Sequence, residues 1–268
     1  MVVYDLIPLR FPTFYGDQSL LRQRLHRGIE RAAAIIAISE STKRDLVEIL
    51  GVDPNKIHII YPGVDTRFGP TKDEAELCRV LDEYRVKPPY LLYVGSLEPR
   101  KNVATLVRVF RRLRSQHRLP HQLVLCGPAR WGPEVIVQAQ DLIATGDCRV
   151  LDFVPTVDIA ALYHGAEAFV FPSLYEGFGL PPLEAMASGV PVVASNAGSL
   201  PEVVGDSGLL VPPNDEEALE AALVHILTDS ELRQMLRSRG LERAARFRWE
   251  ETARQTLEVV KLACGEVS

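Results

Sequence analysis

Residues Pro172–Gly189 read PSLYEGFGLPPLEAMASG. Four apolar residues, Ala168–Phe171, precede this stretch and read as a short buried strand. Pro181 and Pro182 open a helix behind it, where a missing N–H costs little. The stretch is therefore a strand, a glycine-rich turn and a helix. It places Glu176 on the loop at the strand's carboxyl end and Glu184 in the first turn of the helix, with seven residues between them.

The same alternation extends in both directions. Toward the N-terminus, strands are predicted at residues 149–153, 122–126, 90–94, 57–61, 34–38 and 2–6, with helices between most of them. Asn102 is expected to cap a helix from residue 103, and Asp158 one from residue 158 to 164. Toward the C-terminus come strands at 191–195 and 209–211 and three closing helices. Strands separated by helices imply parallel sheets, so the fold class is α/β with Rossmann-like units. A polar, proline-containing stretch from 69 to 88 reads as a linker. It divides the chain into residues 1–68, a second unit at 89–247, and a last helix at 248–268.

In open parallel sheets, ligands bind in the crevice at the carboxyl ends of the strands. There the backbone N–H groups of Gly177, Phe178, Gly179 and Leu180 face a helix N-terminus that favours anions, beside two carboxylates. Such a site suits a ligand with negative oxygens and hydroxyls, as a nucleotide sugar has. Gly95 ends another strand and lets backbone approach a ligand, and Arg100 and Lys101 follow it before a helix. The two cations read either as partners of a diphosphate or as solvated charges on a surface turn. Phe178 reads equally as packing or as a ligand contact.

Composition narrows the classes. The chain has 268 residues, 47% of them hydrophobic, and a net charge of −5, which gives no case for nucleic-acid binding. No apolar run approaches the ~20 residues of a membrane-spanning helix. Cys78, Cys126, Cys148 and Cys264 lack metal-ligand spacing, and no histidine has a partner at such spacing, so no metal site is expected. The cytoplasm is the expected compartment. Two arginine-rich stretches, 22–31 and 108–118, read as solvated helix faces or as a basic surface for anionic headgroups at the inner face of a membrane.

The motifs resemble those of retaining glycosyltransferases of the GT-B fold, in particular family 4. Glu176 to Glu184 matches the E-x7-E signature, and GSLEPRKN at 95–102 resembles the G-x4-R-K-N loop. YPGVD at 61–65 and NAGSLPE at 196–202 are further landmarks. The resemblance implies a donor-binding C-terminal lobe, an acceptor-binding N-terminal lobe, and a last helix that crosses back to the latter. It implies that Arg100 and Lys101 act on the diphosphate, that Glu184 binds the ribose, and that Glu176 binds donor-sugar hydroxyls near the anomeric centre. It also implies that backbone near Val154 reads the base. No cofactor or divalent metal is needed. The donor would be GDP-mannose or a UDP-sugar, and the acceptor a glycan or lipid-linked hydroxyl. Two carboxylates alone also fit a glycoside hydrolase, which has no use for a phosphate site.

The chain departs from the family in two places. Residues 1–65 match only the last three strands of an acceptor lobe, so a complementing chain, or a non-catalytic nucleotide-sugar-binding module, is the alternative expectation. Many relatives carry histidine before the Asp-Leu-Ile-Pro stretch, where this chain has Tyr4.

Overall fold

The structure, a computed structural model, describes residues 1–70, 73–129 and 132–265. Two parallel sheets organise it. The first runs β1 (Val2–Val3), β2 (Ile35–Ala37), β3 (Ile57–Ile59), in that spatial order. The second contains β4 (Tyr90–Val94), β5 (Gln122–Cys126), β6 (Cys148–Leu151), β7 (Ala168–Phe171), β8 (Val192–Ser195) and β9 (Leu209–Val211). Its spatial order is β6-β5-β4-β7-β8-β9. This is the doubly wound arrangement, with its switch point between β4 and β7. YLLYV, QLVLC and AFVF are almost wholly buried, as strands covered by helices on both faces require.

The large core lies around the second sheet and reaches Phe68, Val80 and Val86. The small sheet has its own core of Val3, Leu6, Ile35, Ala37, Leu46, Leu50, Val52 and Ile57. The stretch read as a linker contains a docked helix, Glu74–Tyr84. Leu77 and Val80 are buried, and Tyr84 donates to Asp158 Oδ2 at 2.7 Å. These residues therefore pack as part of the larger unit. Asp158 is not a cap. The helix it was expected to start runs Thr156–Gly165 from Pro155, and the buried Asp158 carboxylate binds Arg79 and Tyr84.

The two units meet through the helix Glu40–Leu50. Ser39 caps it, accepting from Thr42 N–H at 2.9 Å. Glu202, from the larger unit, accepts from Glu40 N–H at 2.8 Å and from Ser41 N–H at 2.9 Å. Its carboxylate thus closes the first turn of a helix in the other unit, where negative charge also meets the positive end of the dipole. The last helix, Trp249–Ala263, begins against residues 61–64: Thr252 Oγ1 donates to Tyr61 O at 2.7 Å, and Val64 N–H to Phe247 O at 3.0 Å.

The arginines of the helix Val103–Gln116 are engaged internally. Arg108 and Arg112 pair with Glu216, Arg112 also with Glu220, Arg111 with Asp141 and Arg114 with Asp147. That face clasps neighbouring helices and is not a free basic surface. The helix Ser19–Arg31 buries no residue.

Candidate active site

Two loops leave the sheet at the switch point, one from β4 and one from β7. Their strands are neighbours, so residues 95–102 and 172–180 lie side by side. Leu174 N–H donates to Arg100 O at 2.8 Å. Asn102, at φ 57° and ψ 29°, is the residue before the helix Val103–Gln116 but makes no side-chain cap. Its Nδ2 instead donates to Pro172 O at 3.2 Å and Pro213 O at 2.8 Å, tying both loops to the exit of β9. Beneath them lies a buried aromatic floor in which Phe171 stacks between Tyr93 and Phe169, at 5.9 Å each.

Lys101, Glu176 and Arg100 converge on this floor. Lys101 Nζ donates to Glu176 Oε1 at 2.7 Å and stands 5.1 Å from the Phe171 ring centre. Arg100 Nη1 lies 3.2 Å from Glu176 Oε2 and donates to Tyr175 O at 2.6 Å. Its Nη2 donates to Glu98 Oε1 at 2.6 Å and its Nε to the Tyr15 hydroxyl at 3.1 Å. Arg100 is 7% exposed. Burial opposes its charge, but Glu176, Tyr15 and Glu98 outweigh that and raise its pKa further. This corrects the sequence reading. Arg100 is not a solvated cation: it is buried and braces the Glu176 loop, with its guanidinium already engaged by Tyr175 O, Glu98 and Tyr15. Lys101, with two further ammonium hydrogens, is the cation left for an anion. Glu176 likewise has a packing role, because it is buried and ion-paired.

The turn Gly177–Gly179 is shaped by contacts with both units. Gly177 O accepts from Ser39 Oγ at 2.6 Å and from Thr42 Oγ1 at 3.3 Å. A Cβ on Gly177 would meet Asp5 Cβ at 2.7 Å and Tyr4 O at 2.8 Å, so the first unit rests directly on this turn. Tyr4 itself is 67% exposed beside it. Gly198, at φ +59°, lies under Glu176; a Cβ there would meet Glu176 O at 2.6 Å. Ser199 N–H and Oγ both donate to Glu176 O, at 3.2 and 3.0 Å. Tyr175 OH donates to Asp45 Oδ2 at 2.8 Å, and the Phe11 ring lies 5.4 Å from its ring.

Several expected ligand contacts are redirected. Phe178 is buried between Tyr61 and Phe247, with ring centres at 6.0 and 5.9 Å, so its side chain packs in the core. Gly95 is required by the phenol of Tyr93, which a Cβ would meet at 2.8 Å, and that hydroxyl donates to Ser96 O. Val154 places its side chain in the core, which leaves its backbone at the carboxyl end of β6. Gly179 is the N-cap of the helix Leu180–Ala187, with no side-chain cap. Pro181 and Pro182 remove two N–H groups from its first turn, so the donors of the expected anion site reduce to the amides of residues 177–180.

The helix begins one residue earlier than the sequence reading placed it, so Glu184 is its fifth residue, just past the first turn where the macrodipole acts most strongly. It is half-buried, and Tyr163 OH donates to its Oε2 at 3.1 Å. Burial pushes its carboxyl up to about 6, with Tyr163 pulling down and the charge of Asp65 pushing up. Among the described residues, no group of three or more His, Cys, Asp or Glu side chains is arranged to hold a metal. No helix among them is long and apolar enough to cross a membrane.

Sequence reasoning did not find Tyr15, Tyr175 or Asp45 as parts of the site. Tyr175 is adjacent to the Glu176 signature. Tyr15 and Asp45 carry no local signal, because only the docking of the first unit brings them here.

A doubly wound unit with cations, carboxylates and free amides at its switch point, covered by a second parallel unit, is the arrangement of a nucleotide-sugar glycosyltransferase of GT-B type. The comparisons agree. The model for glycosyl transferases group 1 matches residues 82–243, and the model for Glycosyltransferase Family 4 matches residues 9–68. The chain belongs to the glycosyl transferases group 1 family.

Among curated relatives, O-antigen chain mannosyltransferase B of Escherichia coli is 37% identical over 244 residues, covering 90% of this chain and 64% of that protein. Serotype-specific mannosyltransferase WbdA of Escherichia coli is 32% identical over 272 residues, 96% of this chain and 32% of its own length. The chain thus spans less than two thirds of either. Among solved structures, Anabaena HepE in complex with UDP-glucose superposes with a TM-score of 0.84 at 22% identity, over 97% of this chain and 71% of that one. Sucrose-phosphate synthase of Thermosynechococcus elongatus gives 0.80 at 25% identity, over 99% and 68%. These likenesses establish a GT-B-like fold.

Proposed function

We propose that this chain binds a nucleoside-diphosphate sugar at the carboxyl ends of β4 and β7 and transfers the sugar, with retention of configuration, to a hydroxyl acceptor in glycan assembly. One observation carries the reading: Lys101 and Glu176 face each other at the switch point, beside the amides of 177–180, so that one ligand meets a cation, donors and a carboxylate together. In this reading Lys101 and the amides hold the diphosphate, Glu184 the ribose hydroxyls, backbone at Val154 the base, and Glu176 the sugar hydroxyls. The acceptor oxygen forms a bond to the anomeric carbon on the face from which the phosphate oxygen departs. The acceptor's proton passes to that phosphate oxygen. Lys101 and the amides stabilise the charge that grows on the leaving diphosphate.

The named relatives support mannose as the sugar, hence GDP-mannose as the first donor to test. The structural neighbour solved with UDP-glucose makes a UDP-sugar the second. The exposed helix Ser19–Arg31, with Arg22, Arg24, Arg27 and Arg31, supports a lipid-linked acceptor presented at an anionic membrane surface.

A nucleoside diphosphate should raise the melting temperature with the logarithm of its concentration above Kd, and free mannose should not. Protection by neither GDP nor UDP overturns the donor reading. A second reading is a binding module without transfer. Donor binding without release of GDP or UDP in the presence of mannose-terminated glycans selects it.

A further inference from the structure

The donor reading places the sugar end of the ligand at Glu176. The structure shows what holds Glu176 in place, and part of it comes from far away in the chain. Arg100 grips the Glu176 loop through Tyr175 O at 2.6 Å and Glu176 Oε2 at 3.2 Å. Its other edge is gripped in turn by Glu98 Oε1 at 2.6 Å and the Tyr15 hydroxyl at 3.1 Å. Tyr15 also leans toward Glu98, its hydroxyl 3.5 Å from Oε2. Tyr15 ends the short helix Pro12–Tyr15, in a segment fastened to the same loop at two more points. Phe11 packs on the Tyr175 ring, and the Arg10 guanidinium lies 5.2 Å from the centre of the same ring while pairing with Asp45.

We infer that Tyr15 is a positioning residue for donor-sugar recognition: its hydroxyl, with Glu98, orients the Arg100 guanidinium that holds Glu176 toward the sugar. The proposal rests on the donor reading above. Glu176 lies between two cations, Lys101 and Arg100. A diphosphate recruits Lys101, and Glu176 then depends on Arg100 to stay in place. A guanidinium with its outer edge unsatisfied turns toward other acceptors, and the carboxylate loses its fixed direction. Tyr15 touches neither Lys101 nor the amides of 177–180, so the diphosphate itself should not sense it. The segment Ile7–Tyr15 thereby links the cover formed by the first unit to selection of the sugar in the second.

The test is calorimetric titration of the wild-type chain, Tyr15→Phe and Glu98→Gln with GDP, GDP-mannose, UDP and UDP-glucose. In both variants the nucleoside diphosphate that wild type binds should keep its affinity within twofold. The matching sugar nucleotide should weaken about five- to tenfold, and the preference for the sugar should shrink by that factor. An equal loss for diphosphate and sugar nucleotide, or no change in either, overturns the proposal while leaving the donor reading standing. Absence of binding of all four ligands to the wild type removes the donor reading and this proposal together. Glu98→Gln keeps the size of a half-buried side chain and preserves the test should Tyr15→Phe lower stability.

Discussion

Lys101 Nζ stands 2.7 Å from Glu176 Oε1, joining the proposed diphosphate cation to the proposed sugar carboxylate. These two charges neutralise each other, with side chains 13% and 9% exposed. In the proposed reading the pair keeps a buried carboxylate compensated until a diphosphate takes the lysine, and Glu176, still held by Arg100, then accepts sugar hydroxyls.

Lys101→Ala should weaken binding of GDP or UDP by one to two orders of magnitude, the ~1.5–3 kcal/mol of a charge-assisted hydrogen bond. Arg100→Ala should act differently. It removes the cation paired with Glu98 and one of the two cations on Glu176 in a buried site, and breaking a buried pair in this way typically costs ~3–5 kcal/mol of stability. Chemical denaturation of both variants checks this: a large loss in Lys101→Ala with none in Arg100→Ala would reverse the two roles.

Glu184 gives a pH-dependent signature. Its carboxyl titrates near 6 in the fold against an ordinary value of 4.5. For an acid raised in this way the folded state binds more protons than the unfolded one between those values, so the contribution of Glu184 to stability is most favourable below pH 4.5 and is lost as pH rises through 6. Above that the penalty is constant, about 2 kcal/mol. Glu184→Gln should therefore stabilise the ligand-free protein at pH 7.5 by up to about 2 kcal/mol while weakening nucleotide binding. Wild-type affinity for a nucleoside diphosphate should also decline as pH drops through 6. A Glu184→Gln variant that is less stable at pH 7.5 and binds nucleotide unchanged contradicts both statements.

Phe178→Ala tests the redirected side chain. Its ring fills the space between Tyr61 and Phe247, so removal should cost ~3–5 kcal/mol of stability. If melting is unchanged and only ligand affinity suffers, the side chain is a ligand contact after all.

Glu202→Ala removes a carboxylate that closes the first turn of Glu40–Leu50 across the two units. Losing such a cap costs ~0.5–2 kcal/mol. Hydrogen exchange at Glu40 and Ser41 should rise in the variant; unchanged protection there would mean that the units are held by other contacts.

What the residue pattern reveals is what local chemistry dictates. YLLYV, QLVLC and AFVF announce themselves as buried strands because a strand covered on both faces has no polar side to show. The Glu176 and Lys101 loops could be placed together because each leaves the carboxyl end of such a strand. Side-chain direction was not legible. Arg100 and Lys101 are adjacent cations in the sequence, and only Tyr175 O, Glu98 and Tyr15 decide that one turns inward. Asn102 and Asp158 look like caps by type and position, yet a carbonyl of the next loop and the Tyr84 hydroxyl claim their side chains. The short helices at Ile7–Arg10, Pro12–Tyr15 and Leu200–Val204 lack the length for a periodic signal; they form because tertiary contacts hold them.

The central claim is that a nucleoside-diphosphate sugar binds at the switch point between β4 and β7. Titration of wild type and Lys101→Ala with GDP-mannose and UDP-glucose, followed by calorimetry, tests it most directly. The account predicts saturable binding of at least one by the wild type and a loss of tenfold or more in Lys101→Ala, with the variant still folded. Binding that is absent in the wild type, or equal in the two proteins, would contradict it.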